Sequence, residues 1–279
     1  MSVRGVRLRQ RRRTRQPQGR LTTRRFERYV AIGDSTTEGL DDPDGRGGYR
    51  GWANRLAERV AAAQGSVLYA NLAIRGRVAR QVREEQLDRA AAMRPGLATV
   101  VAGMNDLVRP RFDAFAVGED VERMQRTLVA GGATVLTFTL PDLAPVMPMA
   151  RPLAGRTQAL NEALRAASAR SGATLVDLGA HPFASDPRLW SHDRFHANAL
   201  GHERIAAALA HAIAVPGADG TWAEDLPPMP PPTRGQRLRA EVRWWRTFLL
   251  PWIWRHARGR SSGDGRSAKR PELTRLDGR

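Results

Sequence analysis

The stretch "YVAIGDSTTEGL", residues 29–40, passes from an apolar run into Gly33-Asp34-Ser35 and then into a small polar cluster that ends at Gly39. Tyr29, Val30, Ala31 and Ile32 are apolar without alternation, the pattern of a strand buried on both faces, as in a parallel sheet covered by helices. A polar turn directly after such a strand lies at the sheet's carboxyl edge, where open α/β sheets bind their ligands. Taken alone, a Gly-Asp-Ser turn is an ordinary loop element and Ser35 only a hydroxyl within it. The rest of the chain decides between that reading and a nucleophile.

Downstream, short apolar runs alternate with longer amphipathic segments, and no internal repeat is present. "YRGWANRLAERVAAAQG" places Trp52, Leu56 and Val60 at helical spacing and stops at a glycine. "SVLYANLAI" reads as a second strand and "RVARQVREEQLDRAAAM" as a second helix. "LATVVAGMND", "ATVLTFTL" and "ATLVDL" give three more strands, separated by helices over 117–130 and 157–170, and a last helix covers 197–214. The expectation is an α/β protein, a three-layer α/β/α sandwich around a five-stranded parallel sheet.

The chain has 279 residues, enough for one domain of about 200 residues with appendages. Its formal charge of +17 is unevenly spread: residues 1–28 carry +10, residues 233–279 carry +9, and the body between them is −2. The basic excess therefore speaks for the tails and says little about the partner of a central site. There is no cysteine, which excludes disulfides, thiolate zinc sites and thiol nucleophiles. The arginine-rich start lacks the apolar core of a signal peptide, and no run of about 18 apolar residues exists, so a cytoplasmic protein without a membrane span is expected.

The tails divide further. Residues 1–26 form a basic arm, 215–235 a Pro/Gly-rich linker or strap, 236–260 a basic Trp-rich amphipathic segment, and residues from 261 onward a disordered tail. On a helix starting at Leu238, residues Leu238, Val242, Trp245 and Leu249 share one face, and Pro251 breaks or kinks it. Two readings stand for this segment: it lies on an anionic membrane, or it packs on the domain over an apolar groove. The arginine-rich tails also suit nucleic acid.

Three polar groups follow three predicted strands: Ser35 the first, Gly76 the second, Asn105 the third. A fourth group, "SHDRFHANALGHE", supplies Asp193 and His196 before the last helix. Acyl transfer needs these parts: a serine hydroxyl needs a base, the base an orienting carboxylate, and the developing oxyanion fixed donors. Each has a bland alternative. Gly76 can end a strand, Asn105 or Asp193 can cap a helix, and His196 can sit idle at the surface. Their joint order after successive strands favours chemistry. An aspartyl phosphatase built on Asp34 would want a magnesium-binding acid two residues on, where Thr36 stands.

These residues resemble the SGNH (GDSL-type) hydrolase family over roughly residues 27–214. "GDSTTEG" is similar to the first block, Gly76 to the second, Gly103-Met104-Asn105-Asp106 to the third, and Asp193-Arg194-Phe195-His196 to the last. The resemblance implies a flavodoxin-like fold and an esterase or lipase. It makes Ser35 the nucleophile, His196 the base and Asp193 its orienting acid, with an oxyanion hole from Ser35, Gly76 and Asn105. No metal or organic cofactor is implied. A small-molecule ester is the expected substrate; an acyltransferase or thioesterase would use the same residues, and a scaffold with nucleic-acid- or membrane-binding tails is the non-enzymatic rival.

Overall fold

The computed structural model describes residues 24–257 and 262–278. Five parallel strands form the expected body: β1 (Arg28–Gly33), β2 (Ser66–Asn71), β3 (Leu97–Val101), β4 (Thr134–Phe138) and β5 (Thr174–Val176). Between and after them run α1 (Ser35–Glu38), α2 (Gly51–Gln64), α3 (Ala79–Ala92), α4 (Met104–Leu107), α5 (Ala114–Ala130), α6 (Ala154–Ser171) and α7 (Ala199–Ala212). Local chemistry sets their ends. Asp113 accepts from the backbone N–H groups of Phe115 and Ala116 at the start of α5, Asn198 does the same for α7, and Gly65 and Gly172 close α2 and α6 with positive φ.

The strand order is β5-β4-β3-β1-β2-β6, where β6 (Arg270–Asp277) pairs antiparallel with β2. The expectation of five strands, with a disordered tail from residue 261, is thus corrected over 270–277. That segment, Arg-Pro-Glu-Leu-Thr-Arg-Leu-Asp, has the composition of an edge strand: charged, carrying a proline, and paired on one side only. Lys269 anchors it, its half-buried ammonium donating to the carbonyls of Tyr49 and Arg50 at 2.8 and 2.9 Å.

The core lies on both sides of β1. Val30, Ala31 and Ile32 are fully buried, and Tyr29 stacks on Tyr69 at 5.0 Å between ring centroids while its hydroxyl meets Thr99 Oγ1 at 3.0 Å. Burying each of Ile32, Leu97, Leu136 and Leu160 contributes about 1.5–3 kcal/mol. The folded body already includes Phe26, which is buried and exchanges two hydrogen bonds with the Gln64 amide. Of the expected basic arm, residues 1–23 lie outside the described residues.

Of the linker expected over 215–235, residues 215–227 lie along the body as a strap, and residues 234 and 235 already belong to a helix. Arg204 donates to the carbonyls of Thr221, Trp222 and Glu224, and Arg188 to those of Leu226 and Pro227. After it, α8 (Arg234–Trp244) runs through a π-turn (Trp245–Leu249) into α9 (Leu250–Ala257). The break expected at Pro251 takes this form: the proline has no N–H to give, and the turn before it widens to i→i+5 bonding. Leu249 does not share a face with Leu238, Val242 and Trp245 as expected. The widened turn brings Leu249 round to Trp244, five residues earlier, and both are buried while the other three are exposed. No helix among the described residues is long and apolar enough to cross a membrane.

Candidate active site

β1 lies between β2 and β3, so the chain leaves it in one direction and later returns on the other side, which opens a crevice at the carboxyl ends of these strands. Ser35, Gly76 and Asn105 follow β1, β2 and β3 and meet at that crevice.

Ser35 is the first residue of the single-turn α1, whose N-cap is Asp34: Asp34 Oδ1 accepts from Thr36 N at 3.0 Å. A residue in that position has a backbone N–H with no intrahelical partner. The turn is held from several sides. Gln86 clamps Gly33 with two 2.9 Å hydrogen bonds, accepting from its N–H and donating to its carbonyl. Asn71 Nδ2 donates to the Thr37 carbonyl at 2.8 Å. Glu38 and Arg75 form a buried ion pair, and the Arg75 backbone N–H also donates to Glu38 Oε2 at 2.9 Å, tying α1 to the loop that holds Gly76. Gly39 ends α1 at φ +92°, and a Cβ there would stand 2.5 Å from Gly51 Cα, so the sequence needs glycine to turn the chain away.

The fourth block folds as a local turn. Asp193 Oδ1 accepts from the backbone N–H groups of Phe195 and His196 at 2.8 and 2.9 Å, an Asx turn that takes Arg194 to φ +62°. This is the physical reason for the Asp-x-x-His spacing: the carboxylate that folds the turn is left facing the imidazole. Asp193 Oδ2 lies 2.5 Å from His196 Nδ1, and His196 Nε2 lies 2.8 Å from Ser35 Oγ. Three of the five expected residues thus form one hydrogen-bonded chain, although His196 is 161 positions from Ser35.

Burial pulls the His196 pKa down, but the hydrogen bond and charge of Asp193 outweigh it and leave His196 raised above 6.5. Burial works against the Asp193 carboxylate too, yet the imidazole and the backbone donors hold it well below the usual range. Fully buried Asp34 is pushed up to about 6 by desolvation.

A second carboxylate faces the turn. Asp41, itself at φ +64°, has Oδ2 2.6 Å from Ser191 Oγ and 3.9 Å from His196 Nδ1. Ser191 Oγ is also 2.7 Å from Asp193 Oδ1. A hydroxyl has one hydrogen, so it can serve only one of two ionised carboxylates. Both contacts are hydrogen bonds when one acid holds a proton; burial and the neighbouring Asp193 charge push the Asp41 pKa up from the ordinary carboxylate range. Asp41, Asp193 and His196 also have donor atoms near enough to suggest a metal. Two ligands on one zinc stand roughly 3 Å or more apart, however, and the 2.5 Å Asp193–His196 contact is a hydrogen bond instead.

Gly76 adopts φ +78° in the turn after β2. Asn105 lies inside α4, with Nδ2 donating to Asp34 Oδ2 at 3.1 Å and to the Arg77 carbonyl at 3.0 Å. Both its amide hydrogens thus have protein acceptors, and a third acceptor in the crevice would have to draw one away. Asp106 caps α3 through Ala79 N at 3.0 Å.

The other histidines whose side chains are described have structural settings or face solvent. His202 is buried and its pKa lowered to about 4 by desolvation; Nδ1 accepts from Trp52 N and Nε2–H donates to the Leu40 carbonyl. His192 Nε2 meets Thr247 Oγ1, His181 packs edge-on to Trp222, and His211 is exposed. Sequence reasoning missed Asp41, Ser191, Gln86 and the Glu38–Arg75 pair, all of which act across long sequence separations.

It also missed Trp244. Its Nε1–H donates to the Asp193 carbonyl at 3.0 Å, and the Arg194 guanidinium lies 4.8 Å above its ring and pairs with Glu241 at 2.8 Å. A cavity of about 870 Å³ lined by Tyr49, Arg50, Arg55, Glu58 and Arg270 lies elsewhere and includes none of the five expected residues.

The fold is similar to that of a psychrotrophic esterase, EstA, from Pseudoalteromonas sp. (15% identity, TM-score 0.54, covering 67% of this chain and 97% of that one). It is similar as well to an acetylxylan esterase from Geobacillus stearothermophilus, solved as a catalytic mutant (15%, 0.57, 72% and 97%). A third likeness is to a lipase/acylhydrolase from Enterococcus faecalis (19%, 0.55, 67% and 95%). At these identities the likeness is one of fold. No curated protein matches the sequence. Residues 31–204 match the GDSL-like lipase/acylhydrolase family, and the chain belongs to it, a family of hydrolases acting on esters.

Proposed function

We propose that residues 27–214 cleave carboxylic esters of small, lipid-linked or sugar-linked acyl groups, with Ser35 as nucleophile. The observation that carries this reading is the unbroken chain from Ser35 Oγ through both nitrogens of His196 to Asp193 Oδ2, at 2.8 and 2.5 Å. A serine hydroxyl is a weak nucleophile at neutral pH, and a base already within hydrogen-bond reach removes that obstacle.

Ser35 Oγ bonds to the acyl carbon as His196 Nε2 takes its proton, and the carbonyl electron pair moves onto oxygen. Asp193 keeps its charge, fixes the Nδ1–H tautomer and stabilises the imidazolium. Collapse of the tetrahedral intermediate breaks the C–O bond to the alcohol, which leaves with the proton from His196. Water then attacks the acyl-Ser35 ester by the same sequence and releases the carboxylic acid. Donors for the oxyanion are the backbone N–H groups of Ser35 and Gly76 and the side-chain amide of Asn105, which shifts one hydrogen from Asp34 or Arg77 as charge develops. Asp34 then acts through Asn105 as its positioning residue.

Hydrolysis of p-nitrophenyl acetate by the purified chain tests the reading. Ser35→Ala should remove turnover while leaving the circular dichroism spectrum unchanged; turnover that survives the substitution ends the assignment. A panel of esters graded in chain length, with sugar acetates and lysophospholipids, then ranks the acyl classes.

A further inference from the structure

The segment 234–257 lies beyond the family match, and its two faces differ. Inward, Trp244 and Leu249 are buried, with Trp244 bonded to the Asp193 carbonyl and Thr247 to His192. Outward, Leu238, Val242, Trp245, Leu250 and Ile253 are 67%, 50%, 45%, 53% and 46% exposed. Large apolar side chains exposed together on one short segment mark an interaction site more often than exposed apolar residues scattered singly do. The same segment carries six arginines and one acid, Glu241, and that acid is taken up by Arg194 from the body. Residues 29–232 are −2, so the folded body adds no net positive charge to that of this surface.

An exposed apolar face edged by arginines and carrying tryptophan matches one environment well. The boundary of an anionic bilayer takes leucine, valine and isoleucine side chains into its acyl region, holds tryptophan at headgroup depth and attracts guanidinium groups to lipid phosphates. A nucleic acid would satisfy the arginines but gives Leu238, Val242, Leu250 and Ile253 nothing to bury against.

We propose that the outer face of α8 and α9 docks the protein on an anionic lipid surface. The inner face of the same segment grips the turn that carries Asp193 and His196, so docking sets the crevice beside the bilayer. Resting on the ester-hydrolase reading above, this makes the acyl esters of membrane lipids the substrate class delivered there.

The full chain is sedimented with vesicles of phosphatidylcholine alone and of phosphatidylcholine mixed with phosphatidylglycerol, and p-nitrophenyl acetate turnover is measured on the same preparations. Wild type should sediment with the mixed vesicles, less so as salt rises. The triple variant Trp245→Ser, Leu250→Ser, Ile253→Ser changes no charge and touches neither Asp193 nor His196. It should lose at least about tenfold in vesicle partition, because the apolar part of binding scales with buried area, while its p-nitrophenyl acetate turnover stays as in wild type and reports an intact fold. Vesicle binding that the triple variant retains would assign the interaction to charge elsewhere in the chain and overturn the proposal. So would binding to an RNA oligomer in place of vesicles. Turnover with no vesicle binding refutes docking alone, whereas absence of turnover in wild type refutes the hydrolase reading instead.

Discussion

Asp41→Asn tests the proton count around Ser191. If Asp41 were ionised, its charge 3.9 Å from His196 Nδ1 would favour the imidazolium. Coulomb's law with an effective dielectric of about 20 gives about 4 kcal/mol at that distance. The Asp41 side chain is 39% exposed, and solvent screening reduces the figure to about 2 kcal/mol, or roughly 1.5 pH units. If Asp41 instead holds the proton it donates to Ser191, an asparagine amide can make the same donation and no charge is lost. The close approach of Ser191 Oγ to both carboxylates favours the second case, in which the acid-side midpoint of kcat/KM should move by less than about 0.5 unit. The assay is p-nitrophenyl acetate kcat/KM from about pH 5 to about pH 9 for both proteins. A midpoint lower by a full unit or more in Asp41→Asn would show an ionised Asp41 and refute the count.

Other expectations follow from the same geometry. With His196 as the proposed base and its pKa raised, wild-type kcat/KM should fall as pH drops through a midpoint above 6.5; a midpoint at or below that value contradicts the Asp193 contact. Asp193→Asn puts an amide N–H against Nδ1 and selects the wrong tautomer, which should cost about 10⁴-fold in kcat, with a loss under tenfold counting against the role. Asn105→Ala should lower kcat by about 10²–10³-fold with KM little changed, read from steady-state kinetics. Asp34, raised to about 6, binds its proton more tightly folded than unfolded, so its charge makes the fold less stable as pH rises from about 4 to about 6. Urea unfolding should therefore show Asp34→Asn gaining on wild type by about 1–3 kcal/mol between about pH 4 and about pH 8; a constant difference would mean Asp34 is not perturbed.

The parallel core was legible because its strands are apolar throughout and its helices repeat apolar residues every three or four positions, signals that need no partner to be read. β6 was not, because an edge strand with alternating charges and a proline has the composition of a solvated tail, and only β2 gives it structure. Asp193 and His196 were legible for a local reason: the Asx turn that fixes their geometry is closed within four residues. Asp41 with Ser191, Glu38 with Arg75, and Gln86 with Gly33 are common polar residues many positions apart, and nothing local distinguishes them from surface side chains. Leu249 went to the wrong face because helical spacing assumes 3.6 residues per turn, and the π-turn before Pro251 breaks that assumption.

The sixth strand also changes what kind of object the Trp244 helix is. Chain on one side is fixed by the strap bonded to Arg204 and Arg188, and chain on the other by β6 zipped to β2 and by Lys269. The helix is therefore a bracket closed at both ends. When Trp244 lets go of the Asp193 carbonyl it stays near its partner, at an effective concentration on the order of millimolar for so short a tether, and re-forms the contact without diffusion. Cutting the chain between α9 and β6 would turn that bracket into a free tail, with every inward contact intact in composition and weakened only by the loss of tethering.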